Sequence, residues 1–133
     1  MNVAVCIDDN GGMLFNSRRQ SRDRILIEDF LKTAENSKVF IRSFSEKLFT
    51  EMNVSVNDNC LLEAEENDFC FIEDEDILPY SAKIKKLIVY KWNRVYPADF
   101  YFEMPEGFTL AEASEFQGSS HEKITKEIYV NEN

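Results

Sequence analysis

Four arginines, Arg18, Arg19, Arg22 and Arg24, fall within seven residues of a chain that is otherwise acidic. A planar guanidinium bonds two oxygens of a carboxylate or phosphate at once, so the cluster reads as an anion-binding rim. The competing reading is a solvated loop and helix start, partly paired with Asp23 or Glu28. The opposite charge is concentrated between Glu63 and Asp76, where eight acids and no Lys or Arg occur in fourteen residues. Carboxylate oxygens suit hard cations, but the glycine and ordered ligand positions of an EF-hand loop are absent, so a solvated acidic face is expected and no metal site. A third use is pairing with the arginines of another copy, which makes a homo-oligomer compatible with the sequence. His121 is the single histidine and lies in a polar turn. One histidine cannot build a multi-histidine zinc centre, and no GxSxG nucleophile motif accompanies it, so a surface position is expected.

These residues need elements to place them. Val3 to Ile7 is apolar on both alternating faces, as in a central strand covered on two sides. Asp8-Asp9-Asn10-Gly11-Gly12 then breaks the strand with turn chemistry. Ser21 is the expected cap of a helix from Arg22 to Glu35, with Leu26, Phe30 and Ala34 on one face. Lys38 to Ile41 reads as a strand, and Ser43 as the cap of a short helix to Phe49. Asn53 to Val56 is a candidate strand and Leu61 to Glu65 a candidate short helix. Phe69 to Ile72 is a buried strand, Asp74 to Ala82 helical despite Pro79, and Lys86 to Trp92 a strand. Phe108 to Phe116 and Lys123 to Val130 pair across Gln117 to Glu122. Trp92, Tyr90, Tyr96, Phe100, Tyr101 and Phe102 form an aromatic belt whose strand spacing favours packing over base stacking. Strand–helix–strand order followed by antiparallel closure makes an α/β layered domain with a mixed sheet.

With 133 residues, 44% hydrophobic and 30% charged, the chain fits one domain, residues 1–133. A net charge of −10 argues against general binding to nucleic acid or anionic membrane. No apolar run approaches the ~20 residues of a membrane span, and no basic leader precedes Asn2, so a cytoplasmic location is expected. Cys6, Cys60 and Cys70 lack a CxxC spacing and read as free thiols.

Three stretches carry a likeness to a known family. The opening strand runs into Gly11-Gly12-Met13 and Asn16. Phe69-Cys70-Phe71-Ile72 leads through a helix to Lys86-Leu87-Ile88-Val89, then Asp99 and Phe102. The end has Ser114-Glu115-Phe116 and Glu127-Ile128-Tyr129. In order and spacing these resemble dihydrofolate reductase. The resemblance implies a three-layer mixed sheet with a C-terminal antiparallel hairpin. It also implies a ligand cleft touched by Ala4, by Met13 of a loop that covers folate and nicotinamide in the family, and by Arg18, Arg19, Arg22 and Arg24. The family's catalytic carboxylate falls on Asp23 when counted from the loop and on Leu26 when counted back from Phe30. The alternative for Asp23 is an acid favoured by the helix dipole.

The departures concern the cofactor. The family has a Gly-Gly pair after the strand matching Phe69 to Ile72, where bare backbone admits a phosphate. This chain has Glu73-Asp74-Glu75-Asp76. One like-charge contact at 4 Å costs about 4 kcal/mol at an effective dielectric near 20. Arg42-Ser43-Phe44-Ser45 replaces the family's Gly-Arg-x-Thr, and the stretch between Phe49 and Asp68 looks short for its adenosine edge. No cofactor is therefore expected. The leading expectation is a non-catalytic relative that binds a small anionic ligand or a protein partner in the remnant cleft. The alternatives are a minimal NADPH-dependent reductase of a pterin-like substrate and an acidic interaction protein.

Overall fold

In the computed structural model, which describes residues 1–50 and 53–133, the chain begins as β1 (Asn2–Ile7). There follow β2 (Gly12–Phe15), β3 (Arg18–Arg19), α1 (Arg24–Thr33), β4 (Val39–Ile41) and a 3-10 helix (Ser43–Leu48). Next come β5 (Ser55–Val56), α2 (Cys60–Glu63), β6 (Phe69–Phe71) and a second 3-10 helix (Leu78–Lys83). The chain closes with β7 (Lys86–Lys91), β8 (Phe100–Tyr101), β9 (Phe108–Phe116) and β10 (Ile124–Asn131).

The main sheet has seven strands in the order β5-β4-β6-β1-β7-β10-β9, and β1 is at its centre. β1 runs parallel to β6 and β7, and β4 runs parallel to β5 and β6. β10 is antiparallel to both β7 and β9, which forms the expected terminal hairpin. Alternation along β1 divides the core. Val3, Val5 and Ile7 pack on one face with Cys70, Ile72, Leu87 and Val89. Ala4 packs on the other with Phe71, Ile88, Tyr90 and the Leu26, Ile27 and Phe30 side of α1. Phe30 lies 5.2 Å from Phe71 between ring centroids, and Phe49 lies 5.1 Å from Phe71. Aromatic pairs at such distances add modestly to the burial of their rings.

Several elements differ from expectation. The helix begins two residues later, because Asp23 rather than Ser21 caps it: Asp23 is extended (φ −152°, ψ 124°) and accepts from the Ile25 and Leu26 N–H groups. Asp74 and Glu75 lie in a bend, and the segment from Leu78 is 3-10 with Pro79 in its first turn, where a missing N–H is harmless. The Ser43 segment is also 3-10; its N-cap is Arg42, and Asp58 Oδ1 accepts from the Ser43 N–H at 2.8 Å.

A second sheet, β3-β2-β8, was not expected from the pattern. Its hairpin turns through Asn16 and Ser17 (φ 50° and 58°) and sets Leu14 opposite Arg19 and Phe15 opposite Arg18. Paired positive φ values match the right-handed strand twist. Among the described residues, no helix is long and apolar enough to cross a membrane.

Phe30 is fully buried and Leu62 is 62% exposed. Replacing Phe30 by Ala is expected to remove about 3–5 kcal/mol of stability in urea titrations, and Leu62→Ala within about 0.5 kcal/mol.

Candidate functional site

The start of α1 carries the densest polar network. Asp23 Oδ1 accepts from the N–H of Ile25 (3.0 Å), Leu26 (3.3 Å) and Ser119 (2.9 Å) and from Ser119 Oγ (3.2 Å). Its Oδ2 accepts from the Ser120 N–H (2.8 Å) and faces His121 Nδ1 (2.9 Å). Burial alone would raise this carboxyl. Hydrogen bonds from His121, Ser120, Ser119 and Leu26 outweigh burial and hold it well below the usual carboxylate range.

An ionised carboxylate only accepts, so Nδ1 carries the hydrogen and, in the neutral ring, Nε2 is an acceptor. Ser21 Oγ lies 3.0 Å from Nε2 and the Tyr96 hydroxyl 3.2 Å away. Trp92 stacks on the imidazole, with centroids 4.6 Å apart.

His121 is thus buried (5% exposed) rather than at the surface. The turn that delivers it is tight. The Gly118 N–H donates to the His121 carbonyl at 2.9 Å, and a Cβ on Gly118 would lie 2.3 Å from Asp23 Oδ2. Both residues were singled out in the sequence, but nothing there signalled their contact, since they are 98 residues apart. A lone acid at the helix start and a Gly-Ser-Ser-His turn became informative only once β10 brought them together.

The site lies at the carboxyl ends of the parallel strands, where open α/β sheets place ligands. Glu73, just beyond β6, forms a two-point ion pair with Arg19: Nε to Oε2 and Nη2 to Oε1, both 2.9 Å. Ser45 Oγ donates to the same carboxylate at 2.7 Å. Arg42, just beyond β4, bonds Asp74 through Nε and Glu75 through Nη1, each at 2.9 Å. Asp8, just beyond β1, accepts from the Asn10, Gly12 and Tyr96 N–H groups and from Gln20 Nε2. Burial works against its ionisation, but these bonds prevail and lower it.

Two clefts flank Asp23 and Ser21. One, of about 290 Å³, is lined by Arg22, Asp23, Arg24, Ile27, Glu28, Lys47, Leu48, Ser119 and Ser120. The other, of about 460 Å³, is lined by Ser17, Arg18, Arg19, Ser21, Arg22 and Phe44.

The expected ligand residues therefore separate. Arg22 and Arg18 are exposed on these clefts. Arg19 is occupied by Glu73, and Arg24 pairs with Glu28 on the surface of α1. Ala4 and Met13 are buried in the core and line neither cleft, because β1 and β2 turn them inward. Leu26, the competing position for the carboxylate, is a core residue of α1. Lys47, Ser119 and Ser120 entered no sequence reading. The acidic run is only partly a solvated face, since Glu73 is buried and three of its acids are paired with arginine. Among the described residues, no three His, Cys, Asp or Glu side chains converge as metal ligands.

No protein-family model matches the chain, and no curated protein matches it. In structure the chain is similar to a dihydrofolate reductase from Enterococcus faecalis, described as complexed with NADP(H) and RAB-propyl. The TM-score is 0.69 and the identity 10%, with 100% of this chain and 97% of the reductase chain covered. The dihydrofolate reductase-like α/β fold is thereby shown over the full length.

The same likeness corrects the expectation that no cofactor is held, because the matching reductase is described with NADP(H). The physical premise also changes. Glu73 to Asp76 were expected to repel phosphate, but Arg19 pairs with Glu73, and Arg42 is shared between Asp74 and Glu75. The electrostatic ground for excluding a dinucleotide phosphate is therefore weakened, with two guanidiniums set against the four carboxylates of Glu73 to Asp76.

Gly118→Ala is expected to cost about 1–3 kcal/mol in thermal or urea unfolding, since Asp23 or the turn must shift. The pH response follows from Asp23. Its folded-state pKa is depressed, so its contribution is complete above the ordinary carboxylate value near ~3.9 and is lost as pH falls below it. Asp23→Asn should be less stable at neutral pH and should flatten the acid limb of the stability curve. The part due to Asp8 should remain.

Proposed function

We propose that this protein binds a small anionic ligand in the cleft between the start of α1 and the end of the Ser43–Leu48 helix. The observation that carries this reading is the pairing state of the cations there. Among the described residues, Arg22 and Lys47 have no ion-pair partner, although the chain carries a net charge of −10. Asp23 is turned inward onto its donors, and Glu28 is matched by Arg24. Screening confines surface potentials to ~8 Å at physiological salt, so an anion inside the cleft senses these local cations more than the distant acids.

Ile27 and Leu48 supply apolar lining, and Ser119 and Ser120 add polar lining from their turn. At about 290 Å³ the cleft is near the lower end of small-molecule sites. A carboxylate or phosphate on a compact apolar body fits that description. Within this reading the ligand class includes the anions of the reductase alternative. NADPH is tested among them because the structural neighbour is described with it.

Calorimetry and thermal shift with inorganic phosphate, folate and NADPH test the proposal. A ligand at 100 times its dissociation constant should stabilise the protein by about 2.7 kcal/mol. Arg22→Ala with Lys47→Ala should weaken that binding at least tenfold, or about 1.4 kcal/mol, while Lys86→Ala at the start of β7 leaves it unchanged. Equal affinity in the double variant, or no response to any of the three, would refute the assignment.

A further inference from the structure

We infer that Ser21 is a nucleophile for acyl transfer, with His121 as its general base and Asp23 orienting the imidazole. This goes beyond the anion-binding reading and uses the neighbouring cleft. The three side chains are connected in series: Ser21 Oγ to His121 Nε2 at 3.0 Å, and His121 Nδ1 to Asp23 Oδ2 at 2.9 Å. This is the arrangement that activates a hydroxyl: an anion fixes the tautomer, and the far ring nitrogen receives the proton.

The surroundings suit each role. Asp23 is held by five further contacts from Ile25, Leu26, Ser119 and Ser120, so the imidazole cannot rotate without breaking its one anionic anchor. Trp92 covers the ring face. His121 is 5% exposed, which limits competition from water for Nε2. Ser21, in contrast, is half-buried and opens onto the 460 Å³ cleft with Arg18, Arg22 and Phe44. The Tyr96 hydroxyl lies 3.2 Å from the same nitrogen, slightly farther than Ser21 Oγ, and shares its one lone pair.

The two exposed guanidiniums define the substrate class as a carboxylic ester that carries a second, anionic group. In the step, the Oγ proton passes to Nε2 as the Oγ–C bond forms at the ester carbonyl. The ester C–O bond then breaks, and the leaving alcohol takes the proton from Nε2. Water completes the cycle: it gives a proton to Nε2, its oxygen bonds the acyl carbon, the acyl–Oγ bond breaks, and Ser21 recovers the proton. A carboxylic acid, which ionises to a carboxylate and a proton in water, and an alcohol are released.

A fluorophosphonate probe tests the nucleophile, since Oγ attack displaces fluoride and leaves a stable adduct. Intact mass and peptide mapping should find one adduct, on Ser21, and Ser21→Ala should abolish it. His121→Gln should slow labelling at least tenfold. Because that variant can fail to fold, labelling of the native sequence is also followed across a urea titration, and it should disappear with the unfolding transition. Hydrolysis of 4-nitrophenyl hemisuccinate should exceed that of 4-nitrophenyl acetate and vanish in Ser21→Ala. No adduct on Ser21 in the folded protein would overturn the inference. So would labelling that persists in urea, or a folded His121→Gln protein labelled as fast as the parent. Ser21→Ala should leave anion binding at Arg22 and Lys47 intact, which separates failure here from failure of the binding reading.

Discussion

Two carboxylate oxygens at Asp23 receive the start of a helix from one side and the Ser119–His121 turn from the other. Hydrogen bonds to a charged group contribute about 1.5–3 kcal/mol each, and a buried carboxylate left without them would be among the most costly groups in the molecule. The contact therefore works in both directions. It gives α1 a fixed first turn, and it fixes the loop that leads into β10. Because β10 is hydrogen-bonded to both β7 and β9, the antiparallel end of the sheet is registered against the helix that covers its parallel half. The imidazole of His121 rides on that same contact, so its orientation is a consequence of the fold's assembly.

At the strand ends the pattern is repeated with ion pairs. Glu73 meets Arg19 and Ser45, while Arg42 bridges Asp74, Glu75 and the Asp58 carbonyl. Buried pairs of this kind contribute little net stability once desolvation is counted, but removal of one partner leaves a stranded charge. Their value here is positional. They link the second sheet, the Ser43–Leu48 helix and the loop after β6 into one rim, and they leave Arg18 and Arg22 outside these ion pairs and exposed.

The sequence was informative where periodicity alone decides structure. The two-sided apolar run of Val3 to Ile7 placed β1 at the centre of the sheet, and the alternation through Phe116 and Val130 located the closing hairpin. It was uninformative where an isolated polar residue has a distant partner. Ser21 and Asp23 are equivalent as caps by residue type, and only the donors of Ser119 and Ser120 select Asp23. His121 in a polar turn gives no local sign of burial, because its cover, Trp92, comes from β7's end. The acidic run misled for the same reason: charge counting along the chain cannot register that Arg19 and Arg42 approach from other segments. The short strands of the second sheet carry too few residues to show a period.

The hairpin joining β2 and β3 has a bearing on which guanidinium is which. Successive residues of a strand point to opposite sides, so Arg18 and Arg19 are interchangeable in composition and opposite in address. The left-handed pair Asn16–Ser17 sets the count between them, and the Asn16 N–H is tied to Asp99 Oδ2 at 3.0 Å. A register with one more residue in the turn would set Arg19 opposite Phe15, on the solvent side, and Gln20 opposite Leu14, leaving Glu73 without its guanidinium. Two backbone angles thus act as the switchboard that assigns one arginine to architecture and the other to whatever the cleft receives.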